Sequence, residues 1–119
     1  MSFDGSCSET GSGAGIWVHN TENNHAEGHS YKLNFQCTNN IAEYEALLLG
    51  LKLLKNIGAK RITVHGDSEL IIKQVNGEYT AKRPRLQAYK DDSIYLLKTF
   101  IEYELNFVPR NQNILANGL

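Results

Sequence analysis

The sequence predicts an α/β domain, a mixed sheet with helices packed on it, and three observations carry that prediction. The first third of the chain holds short apolar runs separated by turn residues, the mark of successive strands. From Thr38 the apolar spacing lengthens to that of a helix. Beyond it, strand-like and helix-like segments alternate, so the order reads β-β-β-α-β-α-α-β-α.

Met1–Ser6 reads as a short strand ending in a turn, and Ser6–Gly15, rich in Gly and Ser, as a tight connection. Gly15–Asn20 reads as a second strand, with Thr21–Asn24 as its turn. Gly28–Gln36 alternates around Tyr31, Leu33 and Phe35 and is expected to be a half-buried third strand. Short turns make these three an antiparallel meander. Thr38, Asn39 and Asn40 offer cap residues, and Tyr44, Leu47, Leu48, Leu51 and Leu54 mark an amphipathic helix to about Asn56, ended by Gly58. Arg61–His65 is a β-branched strand. Ser68–Val75 begins another helix, with Ser68 at the cap and Gly77 near the stop. Ala81–Arg85 reads as a basic link containing Pro84, and Leu86–Ile101 as a long helix. Glu104–Val108 is the last strand, stopped by Pro109, and Asn113–Leu119 opens a final helix.

A chain of 119 residues suits one domain spanning 1–119 and can bury a real core. Apolar residues make up 41% and charged residues 21%, which points to neither disorder nor a membrane protein. No apolar run approaches the roughly 20 residues of a membrane span. The start Met1-Ser2-Phe3-Asp4 has no basic and then apolar stretch, so no secretory signal and an intracellular location are expected. Cys7 and Cys37 lack metal-type spacing and read as two thiols in a reducing compartment, with a single disulfide as the alternative. The formal charge is −1, whereas proteins that grip nucleic acid through phosphates are usually basic. A nucleic-acid partner would therefore be held weakly, through a local patch, or with help from a neighbouring domain. No membrane partner is expected.

Two acids are placed in or at the end of strands. Asp4 lies between Phe3 and Gly5, and Asp67 follows Val64-His65-Gly66. Asp is depleted in strands, and a buried carboxylate is costly unless paired or metal-bound. Each also has a plain reading: Asp67 with Ser68 starts a helix, and Asp4 opens a glycine turn. Glu43 and Glu45 fall in the first turns of the first helix, where acids suit the dipole. With the apolar stripe centred near Leu51, Glu43 lies roughly 80° and Glu45 roughly 120° away. That puts Glu43 at the sheet-facing edge and Glu45 nearer solvent, and the dipole explains only Glu45. Three hard oxygen ligands, Asp4, Glu43 and Asp67, would suit Mg²⁺ or Mn²⁺. Two such ions about 4 Å apart can activate water and stabilise the leaving oxygen in phosphodiester hydrolysis. His19, His25, His29 and His65 show no zinc spacing and read as exposed or strand histidines.

The runs Phe3-Asp4-Gly5-Ser6, Gly11-Ser12-Gly13-Ala14-Gly15, Thr38-Asn39-Asn40-Ile41-Ala42-Glu43 and Gly66-Asp67-Ser68-Glu69-Leu70 together resemble the type 1 ribonuclease H family. The flavour is similar to that of its compact bacterial, archaeal and plant retroelement members. Gly77-Glu78-Tyr79, Lys82-Arg83-Pro84-Arg85 and Val108-Pro109-Arg110-Asn111-Gln112-Asn113 extend the match over essentially the whole chain. The resemblance implies a ribonuclease H-like fold: a five-stranded mixed sheet, an antiparallel meander followed by parallel additions, flanked by helices. It implies a metal-dependent endonuclease that cuts the RNA strand of RNA–DNA hybrids with two Mg²⁺ or Mn²⁺ ions. Its catalytic and metal-binding acids fall on Asp4, Glu43 and Asp67. Its substrate contacts fall on Gly5, Ser6, Asn39, Asn40, Ser68 and Asn113, with Lys82, Arg83 and Arg85 as the surviving basic patch.

The family's fourth acid falls on Asn117, a neutral amide and weaker ligand, and the loop histidine and basic protrusion of some members are missing. The resemblance also admits double-stranded RNA as a partner, and other domains of a larger polyprotein. A domain that keeps the fold but has lost useful catalysis is the alternative, favoured by Asn117 and the low charge. A different phosphodiesterase on the same fold is disfavoured by the Thr-Asn-Asn-x-x-Glu spacing.

Overall fold

The computed structural model describes residues 1–8, 11–33 and 38–109. The elements are β1 (Ser2–Ser8), β2 (Gly11–Asn20), β3 (His25–Leu33), α1 (Asn39–Asn56), β4 (Arg61–Gly66), α2 (Glu69–Val75), α3 (Pro84–Leu97) and β5 (Glu102–Phe107). They form a five-stranded sheet in the order β3-β2-β1-β4-β5. The first three strands pair antiparallel, as short turns dictate, while β4 and β5 add in parallel after helical crossovers. Among the described residues no helix is long and apolar enough to cross a membrane.

Register fixes what meets at the centre of the sheet. Phe3 of β1 is level with Gly66 of β4, and the two strands run the same way. The next residue on each is an aspartate, so Asp4 and Asp67 emerge side by side at one end of the sheet. Across β1, Asp4 is level with Gly15, which is level in turn with Ser30 of β3.

The core lies between the sheet and α1, where Phe3, Ile16, Val18, Val64, Ile71 and Leu97 close on Tyr44, Leu47 and Leu51. The predicted apolar stripe of α1 is buried in full, but the buried face is wider than the stripe. Ala42, Ala46 and Gly50 are buried too, because small side chains let the helix lie close to the strands. A Cβ on Gly50 would run into the side chain of Met1. Glu43 therefore sits within the buried face rather than at its edge.

Other boundaries differ from the sequence reading for physical reasons. Ser6–Gly15 is mostly strand: Cys7 is level with Ser12, and Ser8 with Gly11. Small residues there alternate in burial, with Ser12 and Ala14 buried, so a glycine-rich stretch does strand work. The third strand starts at His25 and is largely exposed, since it forms one edge of the sheet; Tyr31 is 37% exposed and only Leu33 is buried. Phe35 and Gln36 lie outside the described residues. The expected basic link is split, because Pro84 is the first residue of α3; its fixed φ suits that place and its missing N–H costs nothing there. That helix ends at Leu97, and β5 starts two residues earlier than expected, at Glu102. The final helix expected from Asn113 lies outside the described residues, as does Cys37. Cys7 accepts a hydrogen bond from the Ser12 hydroxyl at 3.4 Å.

Candidate active site

The site is assembled around one close approach of helix to strand. A Cβ on Gly5 would overlap the backbone of Ala42 and Glu43, so only glycine lets α1 cross β1 there. The Gly5 N–H donates to Oε1 of Glu43 at 3.0 Å inside the protein. Thr38 caps α1, its hydroxyl accepting from the Ile41 N–H at 3.3 Å. Capping thus falls to Thr38, not to Asn39 or Asn40, which are the first two helical residues and leave their amides exposed and half-buried respectively. It also puts Glu43 beyond the first turn, so a helix-dipole role does not account for it.

Asp4, Glu43 and Asp67 each offer an oxygen within 4.8 Å of the others. Asp4 is exposed, Asp67 half-buried and Glu43 only 7% exposed. Burial pushes the Glu43 carboxyl up to about 8; the Gly5 amide opposes the rise, and Asp4 and Asp67 beside it add to it. Oε2 of Glu43 is buried without a hydrogen-bond partner. Three clustered carboxyls, one with an orphaned buried oxygen, are an unfavourable arrangement that a divalent cation neutralises. An all-oxygen donor set of this kind fits Mg²⁺ or Mn²⁺.

The remaining predicted residues divide. Gly5 is buried under α1, while Ser6 is exposed and Ser68 half-buried. Ser68 occupies the N-cap position of α2, yet its hydroxyl makes no capping bond. Lys82, Arg83 and Arg85 are all exposed at the entry to α3. Asn113 and Asn117 lie outside the described residues.

A connection the sequence did not disclose joins this basic segment to α1. The Tyr89 hydroxyl donates to Oε1 of Glu45, and Arg85, one helical turn earlier, reaches the same phenol. Burial first, and then Glu45, hold the Tyr89 hydroxyl above its ordinary pKa. The Tyr89 ring stacks on Tyr44 at 5.8 Å between centroids, and the Tyr44 hydroxyl donates to Gln74 at 2.8 Å. Glu45 is thus half-buried and engaged rather than simply solvent-facing. The spacing of Arg85 and Tyr89 was a visible signal, but their partner on another helix was not.

A mixed sheet of this order, with three carboxyls meeting where β1, α1 and β4 come together, defines a ribonuclease H-like domain. A family model described as reverse transcriptase-like matches residues 2–119, and the chain belongs to the type 1 ribonuclease H family. The crystal structure of RNase H1 from the halophilic archaeon Halobacterium salinarum NRC-1 superposes with a TM-score of 0.88 at 27% identity, covering 99% of this chain and 90% of that one. The structure of LC11-RNase H1 in complex with an RNA/DNA hybrid gives 0.83 at 28% identity, with the same two coverages of 99% and 90%. Ribonuclease HI of Halobacterium salinarum is 34% identical over 84 residues, or 71% of this chain. The chain spans only 42% of the length of that curated relative.

Proposed function

We propose that this chain is a metal-dependent ribonuclease H domain that hydrolyses the RNA strand of RNA–DNA hybrids. The observation that carries the reading is the convergence of Asp4, Glu43 and Asp67 within 4.8 Å, in a chain of this family. The LC11 relative is described in complex with an RNA/DNA hybrid, which supports the choice of substrate.

Asp4, Glu43 and Asp67 would hold the Mg²⁺ or Mn²⁺ ions. A pair of such ions, when bound, supplies an activated water and charge stabilisation for the leaving oxygen. The protein's own part is to fix the carboxylates. Gly5 allows the approach of α1 and orients Glu43 through its N–H, leaving Oε2 of Glu43 for the cation. Asn39 and Asn40, at the start of α1, offer amides that both donate and accept, as a 2′-hydroxyl and base edges require. Ser6, Ser68 and Asn113 complete the proposed substrate contacts. Lys82, Arg83 and Arg85 hold the DNA backbone without reading sequence. The domain spans 1–119 and works as part of a larger polypeptide or with a second nucleic-acid-binding module, since its own charge is −1. Double-stranded RNA is the secondary substrate to test.

Asn117 occupies the position of the family's fourth acid, so catalysis is weakened. That residue and the low charge favour a second reading, a hybrid-binding domain with impaired cleavage. Single-turnover cleavage of a labelled hybrid over a Mg²⁺ and Mn²⁺ series, for this chain and for Asn117→Asp, separates the two. Slow cleavage that Asn117→Asp accelerates by about 10²–10³ supports the nuclease. Hybrid binding with no cleavage by either protein supports the impaired domain. Equal rates at limiting metal show that position 117 is not a ligand.

A further inference from the structure

Three consecutive residues of α1 face three ways, about 100° apart. Glu43 turns to Asp4 and Asp67, Tyr44 enters the core, and Glu45 meets α3. The Tyr89 ring stacks on Tyr44 with the planes 16° apart, and its hydroxyl donates to Glu45. Tyr44 is fully buried and is itself fixed by the buried Gln74. Tyr89 is therefore anchored twice to the helix that carries Glu43, once by its ring and once by its oxygen.

Arg85 reaches the same phenol. It is the second residue of α3, and Lys82 and Arg83 come just before that helix. Cations at a helix N-terminus oppose the dipole, and this first turn contains no acid to offset them. Among the described residues none of the three cations forms an ion pair. The link from this segment to a carboxylate runs across to α1, from Arg85 through the Tyr89 hydroxyl to Glu45.

We propose that Glu45 and Tyr89 are positioning residues for substrate: they hold Arg85, and with it the Lys82–Arg85 segment, at a fixed place relative to the acidic site, so that a backbone phosphate gripped there brings the RNA strand to the carboxyls. This role rests on the ribonuclease H function proposed above. A phenol suits the task because its oxygen accepts from a cation while its hydrogen goes to an anion, and each bond polarises the other. Arg85 keeps donors to spare, since a guanidinium carries five N–H groups in a rigid fork. A direct ion pair of Arg85 with Glu45 would instead neutralise the cation that a phosphate needs. Packing alone accounts for the stacked ring, which phenylalanine would supply equally, but not for a hydroxyl set between Arg85 and the helix of Glu43.

The test compares the full chain with Tyr89→Phe, Arg85→Ala and the double variant. Binding of a fluorescent RNA–DNA hybrid is followed by anisotropy in chelator over a salt series, and KM and kcat are measured in saturating Mg²⁺. Tyr89→Phe keeps the ring on Tyr44. It should weaken binding at low salt by up to about tenfold, the share of one phosphate contact, and raise KM while leaving kcat near the parental value. The double variant should bind no worse than Arg85→Ala, because a phenol with no guanidinium to hold has no substrate role left. Glu45→Gln keeps an oxygen for the phenol and should bind at least as well as the parent. Glu45→Ala should behave like Tyr89→Phe, and it cuts the same link from the other end should the tyrosine variant fail to fold. The binding comparison holds whether or not Asn117 slows cleavage. Losses that add in the double variant, or a Tyr89→Phe that binds and turns over like the parent, would overturn the role and leave the hybrid nuclease standing. A parent that binds no hybrid would overturn both.

Discussion

The backbone N–H of Gly5 holds the carboxylate of Glu43, and the missing side chain of the same glycine is what lets the helix carrying Glu43 come near enough to be held. One residue thus sets both the distance and the orientation of the most buried acid in the site.

Gly5→Ala should therefore damage stability and activity together. The new methyl meets backbone, which cannot rotate away, so α1 must shift from β1. Such overpacking costs typically about 1–3 kcal/mol, and here the upper end or more is expected. Urea unfolding and Mg²⁺-dependent cleavage should both show the loss. Unchanged stability would mean that the helix does not approach as closely as described.

Glu43→Gln should separate the two properties. It removes the cost of holding a proton on this buried carboxyl at neutral pH beside Asp4 and Asp67, so the metal-free protein should be at least as stable as the parent. Cleavage should fall by about 10²–10³, the loss expected when one charged ligand goes. A variant that cuts at the parental rate would remove Glu43 from the site.

The metal-free protein should lose stability as pH rises from about 4.5 to about 8. An unfolded chain releases the Glu43 proton near 4.5, whereas burial keeps it on the folded protein up to about 8. In that window the folded state binds the extra proton, so raising pH favours unfolding through this group, and the slope ends above about 8. Saturating Mg²⁺ should displace the proton and remove the slope. Urea midpoints measured across the window, with chelator and with Mg²⁺, give the comparison; a slope from Glu43 that is absent in chelator contradicts the raised pKa.

Replacing Lys82, Arg83 and Arg85 together by Ala should weaken hybrid binding most at low salt and little at high salt. If each contacts one phosphate, the slope of log affinity against log salt should flatten by up to about 3. Arg85 also reaches Tyr89, so Lys82→Ala with Arg83→Ala isolates the phosphate effect. Affinity at low salt equal to that of the parent would exclude the patch as a binding surface.

Much of this was legible in the residues. The β-branched run before Asp67, the cap candidates Thr38-Asn39-Asn40 and the spacing of Leu47, Leu51 and Leu54 placed the acids on two strands and a helix, though which of the three caps was shown only by the structure. The strand pairing that brings Asp4 beside Asp67 could be inferred only through the family resemblance, since parallel register is set by packing far along the chain. Glycine misled in one place and hid information in another. At Ser6–Gly15 it suggested a turn where small residues in fact pair as strands. At Gly5 it looked like a turn residue, while its purpose is a helix passing overhead. Glu43 was put at the edge of the apolar face because Ala42, Ala46 and Gly50 carry too little hydrophobicity to mark the side they bury.

The chain has a single tryptophan, Trp17, whose ring lies against Gly28 where a Cβ would meet it at 2.7 Å. Trp17 is level with Ser2 and stands two residues along β2 from Gly15, the partner of Asp4. Every photon of indole fluorescence from this protein therefore originates on the sheet a short way from the acidic site. Its emission wavelength and its quenching by iodide provide an optical gauge of water and ions there, with no label added and no second indole to subtract.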